Sequence, residues 1–251
     1  MTLEHFILAA ITGLLVGFSK GGVTGVINIV GPALAVLVHA KFAIGVPLPL
    51  FVLGDCFALW RFGGHWEWRV VRPMLPAALL GVVLGGWLLG GLVTHLALFN
   101  RTLGVIALFF CLFQLWLESR NAKRPPDHPH QPATPIVGAA AGLTTGVLST
   151  VANQGGLVTN LYLISQRLAK ERFMATQAML YVFINSTKLA PFVWRGLITR
   201  QTLALDLFAA PFVIAGGFLG ARVMRALNEP LFVRIVLWLT LATGLLLVVR
   251  G

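Results

Sequence analysis

The sequence predicts an all-α polytopic membrane protein made of two homologous halves, and composition, segment length and an internal repeat support this prediction. Of the 251 residues 57% are hydrophobic and 11% are charged, whereas a soluble domain carries about 25% charged residues. The apolar residues are gathered into segments long enough to cross a bilayer as helices, which takes about 20 residues. No segment shows the alternation of a membrane β-strand, so all spans are predicted to be helical.

Composition also excludes several classes of function. The net charge of +11 does not indicate nucleic-acid binding, because the basic residues lie mostly in short connections between apolar segments, as they do beside membrane helices. Cys56 and Cys111 lie in separate apolar segments and are predicted to be small buried hydrophobes. The sequence contains no nucleotide-binding, nucleophile-elbow or zinc motif. We therefore predict no catalytic residue, cofactor or metal site.

The predicted spans divide the chain into a first repeat at 1–117, a Pro-rich linker at 118–135 and a second repeat at 136–251. The first repeat holds apolar segments at 6–39, 43–60, 73–92 and 96–117, and the second holds segments at 136–165, 172–194, 203–227 and 231–249. The first segment of each repeat is too long for one simple crossing. Glycine and polar residues interrupt it, so each repeat is predicted to begin with a broken or hairpin helix.

The repeat is visible in matching glycines and prolines. Gly13 and Gly17 align with Gly142 and Gly146, and Lys20-Gly21-Gly22 aligns with Gln154-Gly155-Gly156. Farther along, a second set aligns at one constant offset, namely Pro76, Gly81 and Gly85 with Pro211, Gly216 and Gly220. Because order and spacing persist over the whole length, we interpret the two halves as an internal repeat.

The basic clusters indicate how the repeats are oriented. The four clusters lie at 61–72, 120–124, 167–172 and 222–234. If each interrupted segment crossed the membrane once, the clusters would be divided between its two sides. If each one turns back, all four clusters fall on one side, in agreement with the positive-inside rule. We therefore predict inverted repeats, with both termini outside, the linker in the cytoplasm and the protein in the cell (inner) membrane.

The broken segments and the Pro-x4-Gly-x3-Gly spans resemble those of the sulfite exporter TauE/SafE family over nearly the full length. The resemblance is carried by GLLVGFSKGG at 13–22, PAALLGVVLGG at 76–86 and PFVIAGGFLGARV at 211–223, and by the duplicated glycine-rich hairpin. Many members have a run of glycines where this chain has Ser19-Lys20-Gly21-Gly22. The resemblance implies transport of sulfite, organosulfonates or related small anions.

The two glycine pairs, Gly21-Gly22 and Gly155-Gly156, are the first candidate binding elements. Adjacent glycines break a helix and let a ligand approach the backbone, and a helix that restarts there directs unpaired N–H groups at an anion. Close helix packing of the small-xxx-small kind is the alternative. Lys20 lies beside the first pair, where a charge costs roughly 2.5–3.5 kcal/mol on insertion scales. It is expected to bind an anion, to reach the interface, or to pair with an acid.

Further charged candidates are Lys188 and Asp55. Lys188 lies in a span three residues before Pro191, and it either reaches the interface or gives the second half a charge that faces the anion. Asp55 is the clearest intramembrane acid; it is either an ion-coupling residue or the counter-ion of one of the two lysines. Asp206, near the start of a span, is expected at the interface.

Neutral polar residues complete the predicted binding site. Most of them are expected to form hydrogen bonds between helices. We include Thr24, Asn28, Asn153 and Gln154 among the candidates, because amides and hydroxyls bind an oxyanion without a permanent ion pair.

The sequence thus predicts a secondary transporter that binds a small anion at the interface of the two repeats and works by alternating access. A passive anion channel using the same residues and a non-transport membrane subunit are the alternatives. The expected partners are a small anionic substrate and the lipid bilayer, and no nucleic acid; a homo-oligomer is compatible with the sequence.

Overall fold

The computed structural model describes residues 3–26, 46–92 and 134–250, with the single residues 105, 108, 109, 112 and 116. Within these ranges the chain forms eight helices and no strand. They are α1 (Leu3–Gly21), α2 (Pro47–Phe62), α3 (Trp68–Leu92), α4 (Pro135–Ala152), α5 (Gly155–Ser165), α6 (Lys170–Trp194), α7 (Arg200–Ala226) and α8 (Glu229–Arg250). The predicted all-α polytopic fold is confirmed. The linker at 118–133, most of the predicted span at 96–117 and Asn28 lie outside the described residues.

Several helices have the length and composition of membrane spans. By these criteria Leu3–Gly21, Trp68–Leu88 and Arg200–Ala226 are long and apolar enough to cross a bilayer, and Pro135–Val151 and Pro230–Leu246 are shorter apolar helices. Large apolar side chains, among them Trp87 and Trp194, point outward, as they do in proteins that face lipid. Cys56 is exposed as well, so its prediction as a buried hydrophobe is wrong; a small apolar thiol is equally compatible with a lipid-facing position.

Glycines bring α1 and α7 into close contact. A Cβ atom built on Gly13 would lie 2.7 Å from the carbonyl oxygen of Ala209, and one on Gly17 would lie 1.8 Å from that of Val213. On Gly21 it would lie 2.1 Å from the carbonyl oxygen of Gly217. These positions leave no space for a side chain, as in small-xxx-small packing. Because the residue numbers rise together in the two helices, α1 and α7 run parallel.

The same arrangement joins α3 and α4. A Cβ atom on Gly142 would lie 2.1 Å from the carbonyl oxygen of Met74, and one on Gly146 would lie 2.0 Å from that of Ala78. From the other side, a Cβ atom on Gly81 would lie 2.2 Å from the carbonyl oxygen of Leu143. The helices α3 and α4 therefore also run parallel and share a backbone-to-backbone interface.

The two glycine interfaces are reciprocal. In the predicted repeat α1 matches α4 and α3 matches α7, so each interface joins one helix of the first half to one helix of the second. The contact of Gly13 with Ala209 matches that of Gly142 with Met74 at the offsets of the sequence repeat. A reciprocal exchange of this kind is typical of two units related by a twofold axis. The division at 118–135 and the inverted orientation stay predictions.

The interrupted segment of the second half forms a hairpin. The hydroxyl groups of Thr145 in α4 and Thr159 in α5 lie 3.1 Å apart, whereas 14 residues of continuous helix would separate them by about 21 Å. The chain reverses at Asn153, which has a left-handed φ of 54°. Since α5 has 11 residues, it is about 16 Å long and too short to cross the bilayer.

Candidate functional site

A small polar cavity lies between helices of the two halves, with a volume of about 30 Å³. Its lining from the first half comes from the end of α1, the residues after it and α2, and consists of Ser19, Lys20, Thr24 and Phe51. Its lining from the second half comes from the α4–α5 hairpin and α6, and consists of Ser149, Asn153, Gly156, Gln177, Tyr181, Asn185 and Lys188. A volume of this size holds about two water molecules. Of the eleven lining residues, all except Phe51 offer polar groups, which belong to the backbone at Gly156 and to the side chain at the other nine.

An ion pair joins α1 to α2 at one wall of the cavity. The Lys20 Nζ atom donates to Asp55 Oδ1, and both residues are buried, with 8% of Lys20 and none of Asp55 exposed. Asn185 Nδ2 of α6 donates to the other carboxylate oxygen at 2.7 Å. The ammonium group also lies 4.5 Å from the centroid of the Tyr181 ring, close enough for a cation–π interaction. Lys20 is thus held by groups from both halves.

Asp55 and Asn185 occupy matching positions in the repeat. The sequence Phe51-Val52-x-x-Asp55 in α2 aligns with Tyr181-Val182-x-x-Asn185 in α6, and their side chains bond to each other. When equivalent residues of two units contact each other, the contact lies on the axis that relates the units. In the predicted twofold arrangement of the halves this hydrogen bond would lie on the axis, and the cavity lies beside the bond.

The second lysine is buried in the other wall. Lys188 is completely shielded from solvent, and its Nζ atom donates to the Ser149 carbonyl oxygen at 2.8 Å, to Ser149 Oγ at 3.1 Å and to Asn153 Oδ1 at 3.0 Å. These three acceptors match the three N–H groups of an ammonium ion. Lys188 thereby fixes the turn of the α4–α5 hairpin, and the acceptors that it contacts are uncharged.

Neutral side chains close the cavity on the side of α5. Thr24 Oγ1 donates to Gln177 Oε1 at 2.9 Å, and Gln177 Nε2 donates to Asn160 Oδ1 at 2.6 Å. Gly156 is in the first turn of α5, where backbone N–H groups have no partner within the helix. The cavity is therefore lined by hydroxyl, amide and backbone donors together with two ammonium groups.

The predicted candidates fall into three groups by position. Lys20, Thr24, Asn153, Gly156 and Lys188 line the cavity, and Asp55 lies directly behind Lys20. The remaining described candidates, Gly21, Gly22, Gln154 and Gly155, are buried but are not among the lining residues.

The glycines of this third group are packing positions in this structure. A Cβ atom on Gly21 or Gly22 would collide with α7, and one on Gly155 would lie 2.7 Å from the carbonyl oxygen of Thr145. The alternative interpretation of these glycines, close helix packing, accounts for their positions. A part in binding stays a prediction for them and for Gln154.

Tyr181 was missed by sequence reasoning, although the spacing of its neighbours could have indicated it. Gln177, Tyr181, Asn185 and Lys188 follow one another at intervals of four, four and three residues, which places them on one face of α6. The exposure of Lys188 was also misjudged, since an interface position was one expectation. Asp206 is buried within the protein, and neither carboxylate oxygen has a hydrogen-bond partner among the described residues; its predicted position at the membrane interface stays a prediction.

Comparison with known proteins identifies the family. The model of a family described as sulfite exporter TauE/SafE matches residues 9–247. The chain is 30% identical over 186 residues to the probable inner membrane transporter protein TsaS of Comamonas testosteroni, with 71% of each chain covered. No solved structure matches the chain. Because the family model covers nearly the whole length, this multi-pass membrane protein belongs to the sulfite exporter TauE/SafE family of transporters.

Proposed function

We propose that this protein is a secondary transporter of the cell inner membrane that binds a small sulfur-containing oxyanion in the cavity between its halves. The family description and the name of the relative support the class of function. One observation carries the location of the site. Lys20 and Lys188 reach the same small cavity from different halves, and the described residues that line it include no acid; Asp55, directly behind Lys20, balances one of the two charges.

Burial of these charges favours an anion as the ligand. A buried charge is costly unless it is paired, and the contacts of Lys188 are to neutral oxygens. An oxyanion in the cavity would supply the missing negative charge. It would also lie beside the first turn of α5 at Gly156, where free N–H groups and the helix dipole favour negative charge.

Alternating access requires two bodies that move against each other, and the packing suggests which helices belong to each. The glycine interfaces join α1 to α7 and α3 to α4 backbone to backbone. Gly54 of α2 packs on Lys20 and Val16 of α1, and Phe57 packs on Gly217 of α7. We therefore propose one body of α1, α2 and α7. By the correspondence of the predicted repeats the other body consists of α4, α6 and α3, so each body contains helices of both repeats. Rocking of these bodies at the contact between α2 and α6 would open the cavity to either side.

The helix directions fit an inverted arrangement of the repeats. The hairpin makes α5 antiparallel to α4, and contacts of Thr159 with Tyr181 and of Asn160 with Gln177 make α6 antiparallel to α5. Five residues join α6 to α7, too few for two long spans to run in one direction. Successive reversals then place α7 antiparallel to α4. Since α1 runs with α7, the matching helices α1 and α4 would point in opposite directions, which supports inverted repeats.

Uptake into proteoliposomes tests the proposal. We expect radiolabelled sulfite or a small sulfonate to accumulate when a pH gradient is imposed, and the Lys188→Gln variant to lose at least about 90% of this uptake because a buried charge-assisted contact is removed. Arg195→Gln is the matched control, since it removes one positive charge from an exposed side chain that contacts the carbonyl oxygen of Gly86. Flux that follows only the gradient of the anion would indicate a channel. Absence of any flux, or full uptake by Lys188→Gln, would refute the proposed site.

A further inference from the structure

The charges around the cavity leave one positive charge in excess, and the following inference rests on the proposed function. Lys20 and Lys188 line the cavity, and Asp55 bonds to Lys20. No other acidic or basic side chain is among the described residues that line it. The formal sum over these three groups is +1.

The hydrogen bonds favour one charge state of Asp55. Its Oδ1 atom accepts from the Lys20 ammonium group and its Oδ2 atom accepts from the Asn185 side-chain amide. A protonated carboxyl would have to donate from one of these oxygens, and both of them already face donors. These two contacts favour the carboxylate form of Asp55, and the sum of +1 is counted with Asp55 in that form.

We infer that the cavity selects singly charged oxyanions, such as sulfonates and hydrogensulfite, over doubly charged ones such as sulfate. A single negative charge brings the sum over the cavity to zero. A second negative charge would remain buried without a partner, which is costly at low dielectric. Methanesulfonate and sulfate present the same three S–O groups to the residues that line the cavity, so the difference in charge distinguishes the two ions.

Methanesulfonate and sulfate are the probes, because they differ by a methyl group in place of one oxygen. Binding to the purified protein in detergent micelles is measured by isothermal titration calorimetry at one ionic strength. We expect the wild-type protein to bind methanesulfonate at least about tenfold more tightly than sulfate, since one unbalanced charge a few ångströms away is worth that factor or more.

The hydrogen-bonded pair of Asp55 and Asn185 provides matched variants. Asp55→Asn raises the formal sum to +2 and is expected to shift the preference toward sulfate by about tenfold or more. Asn185→Asp lowers the sum to zero and is expected to weaken binding of both ions. The double exchange Asp55→Asn/Asn185→Asp keeps the sum, the composition and the contact between the two positions, and it is expected to restore the wild-type ratio.

The outcomes separate this inference from the proposed function. A wild-type preference for sulfate, or an unchanged ratio in Asp55→Asn, would overturn the charge rule while the cavity still binds anions. If Asp55→Asn does not fold, unweakened methanesulfonate binding by Asn185→Asp would overturn it instead. If the wild-type protein binds neither ion, the proposed function itself fails.

Discussion

The buried ion pair of Lys20 and Asp55 offers a test of whether Asp55 acts only as a counter-ion. Lys20→Met removes the ammonium group and leaves a carboxylate with no exposed surface and only the Asn185 amide as a hydrogen-bond donor. Breaking a buried pair in this way costs about 3–5 kcal/mol. Replacing both partners with apolar residues, as in Lys20→Met/Asp55→Leu, removes the desolvation cost of both charges and is expected to be nearly neutral.

Thermal unfolding in detergent measures both effects. For a chain of this size 3–5 kcal/mol corresponds to a fall in Tm of about 6–20 °C, whereas the double variant is expected to unfold close to the wild-type temperature. Arg172→Gln is the control, because the pair of Arg172 with Glu67 is at the surface, with 61% of the arginine side chain exposed. Such a pair contributes about 0–1 kcal/mol. A loss below about 1 kcal/mol in Lys20→Met, or a double variant as unstable as the single one, would refute the reasoning.

Transport by the stable double variant then separates the two roles of Asp55. If the carboxylate is only the counter-ion of Lys20, removing both charges leaves the dependence of uptake on the pH gradient intact. If Asp55 couples transport to protons, flux down the gradient of the anion itself persists in the double variant, whereas accumulation driven by the pH gradient is lost. We expect the second result, because Asp55 contacts Asn185 across the interface of the two proposed bodies.

Two further predictions concern packing and orientation. Gly17→Ala places a Cβ atom 1.8 Å from the Val213 carbonyl oxygen and is expected to lower the free energy of unfolding by about 1–3 kcal/mol. The control Gly86→Ala, whose Cβ atom would have nothing within 4 Å, is expected to be neutral or to stabilise its helix by up to about 1 kcal/mol. Equal Tm values for the two variants would contradict the close packing of α1 on α7. His65 and Arg200 occupy matching exposed positions of the two repeats, so in a background without native cysteines His65→Cys is expected to react with an impermeant thiol reagent only from the cytoplasm and Arg200→Cys only from outside. Labelling of both from one side would refute the inverted arrangement.

The helical fold could be predicted because its determinants are local in the sequence. Long apolar segments identify the spans, and glycines at intervals of four residues identify the faces that pack closely. The partner of each glycine face could not be predicted, since Gly13 and Gly17 carry no information on which helix they meet. Only the three-dimensional structure shows that α1 packs on α7 of the other half and not on α3 of its own half.

The candidate site was partly predictable for a similar reason. A lysine in an apolar segment is conspicuous in any sequence, so Lys20 and Lys188 were found. Whether such a lysine reaches the interface or stays buried depends on tertiary packing. The sequence predicts the break in this segment, but not that the turn places the carbonyl and side chain of Ser149, together with Asn153, around Lys188. Tyr181 was not predicted as a site residue, because aromatic residues are common in membrane helices.

The predicted twofold repeat gives a reason why the two halves differ in charge at the cavity while they agree in their glycines. The glycine interface forms twice, once between α1 and α7 and once between α3 and α4. Matching positions of the two halves therefore have the same surroundings, and glycine fits at both. A residue on the axis instead meets its own counterpart. Two aspartates at positions 55 and 185 would repel each other, whereas Asp55 and Asn185 form a hydrogen bond. The lysines likewise match neutral residues, since Lys20 aligns with Gln154 beside the glycine pairs and Lys188 aligns with Ala58 at the offset that relates Asp55 to Asn185. Divergence at these positions is therefore what allows two similar halves to enclose a cavity with a single excess charge.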